Sequence, residues 1–214
     1  MFTGILENFV VFEGCDGSGT STQMEILRSK LAEPGEAGKG PVFFPCAEPT
    51  DGEIGRLIRR ALRGEVSLLP QTLAGLFAAD RSEHVFAPGG IRERCLGGQL
   101  AVCDRYVFSS LVYQGIECGE ELPRLLNRRF PAPALLFFFD IDPEAAQERM
   151  KGRASLDIFE NLDFQKKVRH RYRLLLDEYE KSGGRVKTVD ASGTREEVAL
   201  QVWAELSKLP VFAG

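Results

Sequence analysis

Residues Asn8 to Gln23 read N-F-V-V-F-E-G-C-D-G-S-G-T-S-T-Q. Asn8–Glu13 is a short run of apolar, β-branched and aromatic side chains, the pattern of a buried strand. Gly14–Gly19 holds three glycines in six residues. From Thr20 to Ala32 the apolar residues Met24, Ile26, Leu27 and Leu31 recur at helical spacing. Strand, glycine-rich turn and helix make the frame of a phosphate-binding loop. Glycines let successive N–H groups point inward, and the new helix adds its positive end. Gly14, Gly19 and Ser21 fit G-x-x-x-x-G-K-[ST], but Thr20 stands at the lysine. That ammonium normally reaches the outer phosphates as a point charge. A glycine turn alone could precede a helix that binds nothing. The strand, the helix and a serine at the metal-binding position favour a phosphate ligand.

The bulk composition fits that class. The chain has 214 residues, 43% hydrophobic and 27% charged, with a net charge of −4. This suits one domain, 1–214, with a lid, and does not favour broad nucleic-acid binding. The five cysteines include no C-x-x-C pair, so reduced, mostly buried thiols in a cytoplasmic protein are expected. Only His84 and His170 offer imidazoles, which argues against a metal cluster. No apolar run is long enough for a membrane span, and the N-terminal residues lack the basic start and long apolar centre of a signal peptide, so none is expected.

Four further strand-like runs follow: Pro41–Pro45, Gln99–Cys103, Ala134–Ile141 and Arg185–Val189. Helical patterns separate them, near Ile54–Arg63, Pro70–Phe86, Tyr106–Tyr113, Pro143–Lys151, Leu162–Lys181 and Arg195–Leu209. The alternation predicts an α/β fold, a parallel sheet covered by helices on both faces. Glu33–Gly40 reads as a surface loop. Ligands of such sheets gather beyond the carboxyl ends of the strands, where Glu13, Glu48, Asp104 and Asp140 stand.

Asp104 beside a phosphate loop can hold Mg²⁺, directly or through water, or cap the next helix. Arg105 can clamp a second phosphate or pair with Asp104 or Asp80. Tyr106, Ser109, Ser110 and Tyr113 share one helical face, suited to a sugar or base or simply wet. Phe77 and Arg81 are four apart and can sandwich and hydrogen-bond a flat base. His84 reads as a capping or surface histidine. The charged stretch Glu148–Glu160 can close over phosphates as a lid, with Arg149, Lys151 and Arg153 as its cations. The basic run from Lys166 to Arg173 reads as an ion-paired or solvated face.

Taken in order, F-E-G-C-D-G-S-G-T-S-T-Q, E-P-T-D-G-E-I-G, L-F-A-A-D-R-S-E-H, D-R-Y-V-F-S-S-L-V-Y-Q-G and R-x-K-G-R…D-I-F-E resemble the thymidylate kinase family, from Phe9 to about Glu160. The resemblance implies a P-loop NTPase fold in three layers, with five parallel strands ordered 2-3-1-4-5 and a short lid at about 149–160. It implies a homodimer that passes the γ-phosphoryl of ATP to dTMP with Mg²⁺. Gly14, Cys15, Asp16, Gly17, Ser18, Gly19, Thr20, Ser21 and Thr22 would hold ATP, with Asp190–Thr194 near its adenine. Ser21 and Asp104 would serve Mg²⁺, and Asp16 would lie near the metal and the acceptor phosphate. Glu48, Pro49, Phe77, Arg81, Arg105, Ser109, Ser110, Tyr113 and Gln114 would form the acceptor site. Phe77 would stack on thymine, Arg81 hydrogen-bond its edge, and Tyr113 crowd the sugar's 2′ side.

Three positions depart from the family pattern: Thr20, Ala47 and Ile158, where many relatives carry cations. The expectation is that Arg153 and a neighbour supply the missing charge from the lid, making Arg105, Arg153 and Asp16 the catalytic set. The alternatives are a nucleotide-binding sensor impaired at Thr20, or a kinase for another pyrimidine nucleotide.

Overall fold

The computed structural model describes residues 2–32, 41–151 and 161–213. Five strands form one sheet: β1 (Ile5–Gly14), β2 (Phe43–Ala47), β3 (Leu100–Asp104), β4 (Ala132–Asp140) and β5 (Val186–Asp190). All pairings are parallel and the order is β2-β3-β1-β4-β5, as expected for a P-loop kinase fold. The helices are α1 (Thr20–Ala32), α2 (Glu53–Leu62), α3 (Pro70–Phe86), α4 (Ile91–Leu96), α5 (Val107–Cys118), α6 (Glu121–Asn127), α7 (Pro143–Met150), α8 (Leu162–Lys181) and α9 (Arg195–Leu206).

Side-chain alternation along the strands splits the interior into two cores. Phe9, Val11, Ala101, Cys103, Leu136 and Phe138 face one side and pack with residues of α3, α5 and α8. Val10, Phe12, Leu100, Val102, Leu135, Phe137 and Phe139 face the other and pack with α1, α7 and α9. β1 lies in the middle of the sheet, and Phe9, Val10, Val11 and Phe12 are fully buried. Each such side chain contributes roughly 2–3 kcal/mol on burial.

Several boundaries differ from the sequence reading. β1 begins at Ile5, ahead of the polar pair Glu7–Asn8, where its pairing with β4 shifts register. Asn8 takes φ 59°, a left-handed conformation that asparagine tolerates. α5 starts at Val107 and runs on to Cys118. α4 and α6 were not expected; at six and seven residues each is too short to show periodicity. α9 opens on a full capping box, Thr194 with Glu197, which the T-R-E-E sequence encodes. The loop expected at Glu33–Gly40 lies outside the described residues.

The phosphate-type loop is packed from behind. Gly17 has φ +81°, and a Cβ there would sit 2.6 Å from the Ala146 carbonyl oxygen of α7. Gly64 has a similar φ of +73° with open space around it. The left-handed conformation costs a non-glycine residue about 1–2 kcal/mol. Gly64→Ala is therefore expected to lose about 1 kcal/mol in urea unfolding. Gly17→Ala should lose at least about 1 kcal/mol more, because α7 must also move. Equal losses would show that the α7 contact is not tight.

Candidate active site

Two clefts open at the carboxyl edge of the sheet. The first lies over the glycine loop and is lined by Gly17, Ser18, Gly19 and Thr22, with Arg149, Ala191, Gly193, Thr194 and Arg195 opposite. The loop closes on itself where Ser18 N–H donates to the Cys15 carbonyl at 3.1 Å. Burial pushes the Cys15 thiol up to about 12, so it stays a neutral packing group. Thr20 is the first residue of α1 and is 6% exposed. Arg149 donates to the carbonyls of Ala191 at 2.8 Å and Ser192 at 3.1 Å, which joins α7 to the loop after β5. Lys151 pairs with Glu148. Arg153, Ile158 and most of the expected lid lie outside the described residues.

In the first turn of α1, Ser21 Oγ donates to Asp104 Oδ2 at 2.7 Å. Asp104 is therefore not a helix cap; the N-cap of α5 is Tyr106, which makes no side-chain cap hydrogen bond. The other carboxylate oxygen, Asp104 Oδ1, is buried and has no partner. A hard divalent cation is the kind of ligand that such an oxygen accepts, so the pair fits Mg²⁺.

Arg105 lines the second cleft and reaches the glycine loop. Its backbone is left-handed, φ 70°, and its N–H donates to Phe12 O at 2.9 Å. Its guanidinium donates to Gly14 O at 3.0 Å and Ser109 Oγ at 3.3 Å, and pairs with Asp16. The partner is thus Asp16 rather than Asp104 or Asp80; Asp80 instead accepts from Thr50 N–H and hydroxyl. Gln165 of α8 brackets Asp16, accepting from its N–H at 3.2 Å and donating to its carboxylate at 2.7 Å.

Behind Arg105 lies Glu13, fully buried at the end of β1. It accepts from Tyr106 N–H at 2.9 Å, Ser109 Oγ at 2.6 Å and Tyr172 Oη at 2.8 Å. Burial raises its carboxyl from 4.5 to about 7, against the opposing pull of these hydrogen bonds and of Arg105.

The second cleft is lined by Asp16, Glu48, Pro49, Phe77, Arg81, Arg105, Ser109, Ser110, Tyr113 and Gln114, among others. Arg81 is 1% exposed. Its Nε donates to Glu48 at 2.8 Å, its Nη2 reaches Glu48 at 2.7 Å and Ser110 Oγ at 3.1 Å, and its Nη1 donates to Asn127. Three of the five guanidinium N–H groups make hydrogen bonds, which leaves one on each terminal nitrogen. Gln114 Oε1 is buried and without a partner.

The residues singled out from sequence on both sides thus meet along one edge. Asn127, Gln165 and Tyr172 escaped that reading, since nothing local marks them. His84 is a correction: it is neither cap nor surface group. Its ring is 10% exposed and Nδ1 lies 3.2 Å from Glu48 Oε1. The basic face of α8 is ion-paired, Lys166 with Glu144, Arg169 and Arg173 with Asp140, and Arg171 with Glu120.

A family model described as Thymidylate kinase matches residues 12–202 of the chain. A Treponema pallidum (strain Nichols) protein is 45% identical over 172 residues, 80% of each chain. A Methanococcus aeolicus protein is 36% identical over 205 residues, 94% of this chain and 96% of its own. One from Pyrobaculum aerophilum is 39% identical over 202 residues, again 94% and 96%. Each of the three is assigned as a thymidylate kinase.

Glu13 makes stability depend on pH with a definite sign. Between pH 4.5 and about 7 the folded chain keeps a proton that the unfolded chain has lost. Its contribution is therefore full below pH 4.5 and is lost as pH rises through about 7. The amount is about 3 kcal/mol. Urea unfolding at several pH values should show this loss in the native chain and its absence in Glu13→Gln. Parallel pH profiles would mean that Glu13 titrates normally.

Proposed function

The chain belongs to the thymidylate kinase family and is an ATP-dependent phosphotransferase converting dTMP to dTDP; from that premise we propose which of its groups meets each nucleotide. The second cleft takes dTMP. The observation that carries this is the polarity of its lining: a lone acceptor on Gln114 and a remaining N–H on Arg81 Nη1, in a cleft that the Phe77 ring also lines. Thymine presents the complement, an N3–H donor beside carbonyl acceptors on a flat ring. Cytosine carries an acceptor at N3 and would leave Gln114 unsatisfied. Ser110 helps hold Arg81, Glu48 and Pro49 close the wall, and Tyr113 fills the space beside the sugar's 2′ carbon, favouring deoxyribose.

Arg105 meets the dTMP phosphate, with Asp16 and Ser109 holding its guanidinium on line with the loop. The backbone of Gly14–Thr22 takes the ATP phosphates, and 190–194 with Arg149 border the adenine. Ser21 and Asp104 hold Mg²⁺, which when bound supplies charge neutralisation at the phosphates. An acceptor that is already a phosphate makes no strong demand for a base. Positioning and cations perform most of the work. The cation missing at Thr20 comes from the lid, from Arg153. The reading extends to a cytoplasmic homodimer, for which the exposed Leu69, Phe86 and Leu125 offer apolar area. Among the described residues no helix is long and apolar enough to cross a membrane.

A coupled assay of ADP release with MgATP tests the acceptor. dTMP should be turned over with a higher kcat/KM than dCMP or UMP. Gln114→Leu should raise the dTMP KM about ten-fold, the value of one buried hydrogen bond, with the ATP KM unchanged. No release above background with any monophosphate would return the chain to a nucleotide-binding sensor.

The lid role has its own test. Arg153→Ala should lower kcat about 100-fold. Adding Thr20→Lys should restore part of it, since the lysine carries the charge to the same phosphates. Unchanged turnover in Arg153→Ala would remove the lid from catalysis.

A further inference from the structure

One cluster takes no part in the chemistry above. Cys46 on β2 and Cys103 on β3 are register partners on adjacent parallel strands, so their side chains leave the sheet on one face. α3 covers that face and brings in His84. One donor atom from each of the three lies within 4.8 Å of the others. None of the three lines either nucleotide cleft.

The donor set is chemically specific. Two sulfurs and an imidazole suit a soft or borderline cation and not Mg²⁺ or Ca²⁺. Metal–sulfur bonds near 2.3 Å and metal–nitrogen bonds near 2.0 Å set tetrahedral donors about 3.5–3.8 Å apart. The cluster can therefore close on an ion with shifts of about 1 Å, with a water as the fourth, tetrahedral ligand. An ion would replace the hydrogen bonds now in place, from Cys46 Sγ to Val102 O at 3.5 Å and from Cys103 Sγ to Arg105 O at 3.0 Å, and those that join Cys46 to Cys103 and to His84. Two thiolates balance a divalent charge, so no net charge is left in the core. The outer layer is also in place. Glu48 Oε1 stands 3.2 Å from His84 Nδ1, and a carboxylate behind an imidazole orients it as a ligand through its other nitrogen.

We infer that Cys46, His84 and Cys103 hold one thiophilic divalent cation of the Zn²⁺ class, and that its occupation weakens dTMP binding through Glu48. The link is the shared carboxylate. One oxygen meets His84 and the other holds Arg81, at 2.8 and 2.7 Å. Drawing the imidazole toward the sulfurs moves Glu48, and with it the Arg81 N–H aimed at the base. The second half of this inference rests on the dTMP assignment; the first half does not.

The full chain, reduced with a phosphine and free of nucleotide, is titrated with Co²⁺ and then Zn²⁺. The expected result is one equivalent of Co²⁺ with tetrahedral visible bands and sulfur-to-cobalt charge transfer, bleached by Zn²⁺. Cys46→Ser and Cys103→Ser should each lose the charge-transfer band, and Cys118→Ser, outside the cluster, should keep it. Far-ultraviolet circular dichroism verifies that the variants are folded. With the site filled, the dTMP KM should rise about five-fold or more while the ATP KM stays constant. Absence of the band, a band that survives both cysteine variants, or an unmoved dTMP KM would overturn the inference. A chain that takes Co²⁺ in this way and does not phosphorylate dTMP would strike the substrate assignment and leave the site standing.

Discussion

The Arg105 guanidinium is a positive charge sunk to 24% exposure in the wall of the acceptor cleft, against the glycine loop, and the surrounding chain is arranged to hold it there. A buried charge is tolerated only where it is paired and its hydrogen bonds are met. Here the partners come from the loop, through Gly14 O and Asp16, and from α5, through Ser109. The backbone accepts a left-handed φ of 70° to place it. Observed strain of this kind accompanies functional positions. Gln165 fixes Asp16 and Glu13 fixes Ser109, so the loop, α5 and α8 are all tied to the setting of one side chain.

This arrangement explains what the sequence disclosed and what it withheld. The fold class was legible because each strand is short, apolar and punctuated by helical periods, and because the glycine run follows the first strand. The ligand edge was legible because acids stand at strand ends and Phe77, Arg81, Ser110 and Tyr113 fall at helical offsets. The hydrogen-bond partners were not. Tyr172 meets Glu13 across 159 residues, and Gln165 meets Asp16 across 149. No local pattern marks such pairs, since they exist only once the sheet has brought its neighbours together. His84 was misread for the same reason: Glu48 lies 36 residues away.

Thr20 shows a different limit. Its identity is plain in the sequence, yet its effect depends on which cations face the loop from elsewhere. Arg149 is committed to the carbonyls after β5 and Lys151 to Glu148. Arg169 and Arg173 are drawn to Asp140. Several of the basic side chains around this edge are thus spent on holding the protein together, and a count of basic residues overstates the charge free to meet a phosphate.

The sheet also separates the two halves of the site. Phe77, Tyr106 and Tyr113, which border the acceptor cleft, belong to one core; Ala191 and Val198, which border the loop cleft, belong to the other. Apart from Cys15 of the loop, which packs in the acceptor-side core, substitutions that reshape the apolar wall of one pocket therefore propagate through packing that the opposite pocket does not share. A lineage built on this partition can drift in base preference while its handling of the triphosphate stays untouched.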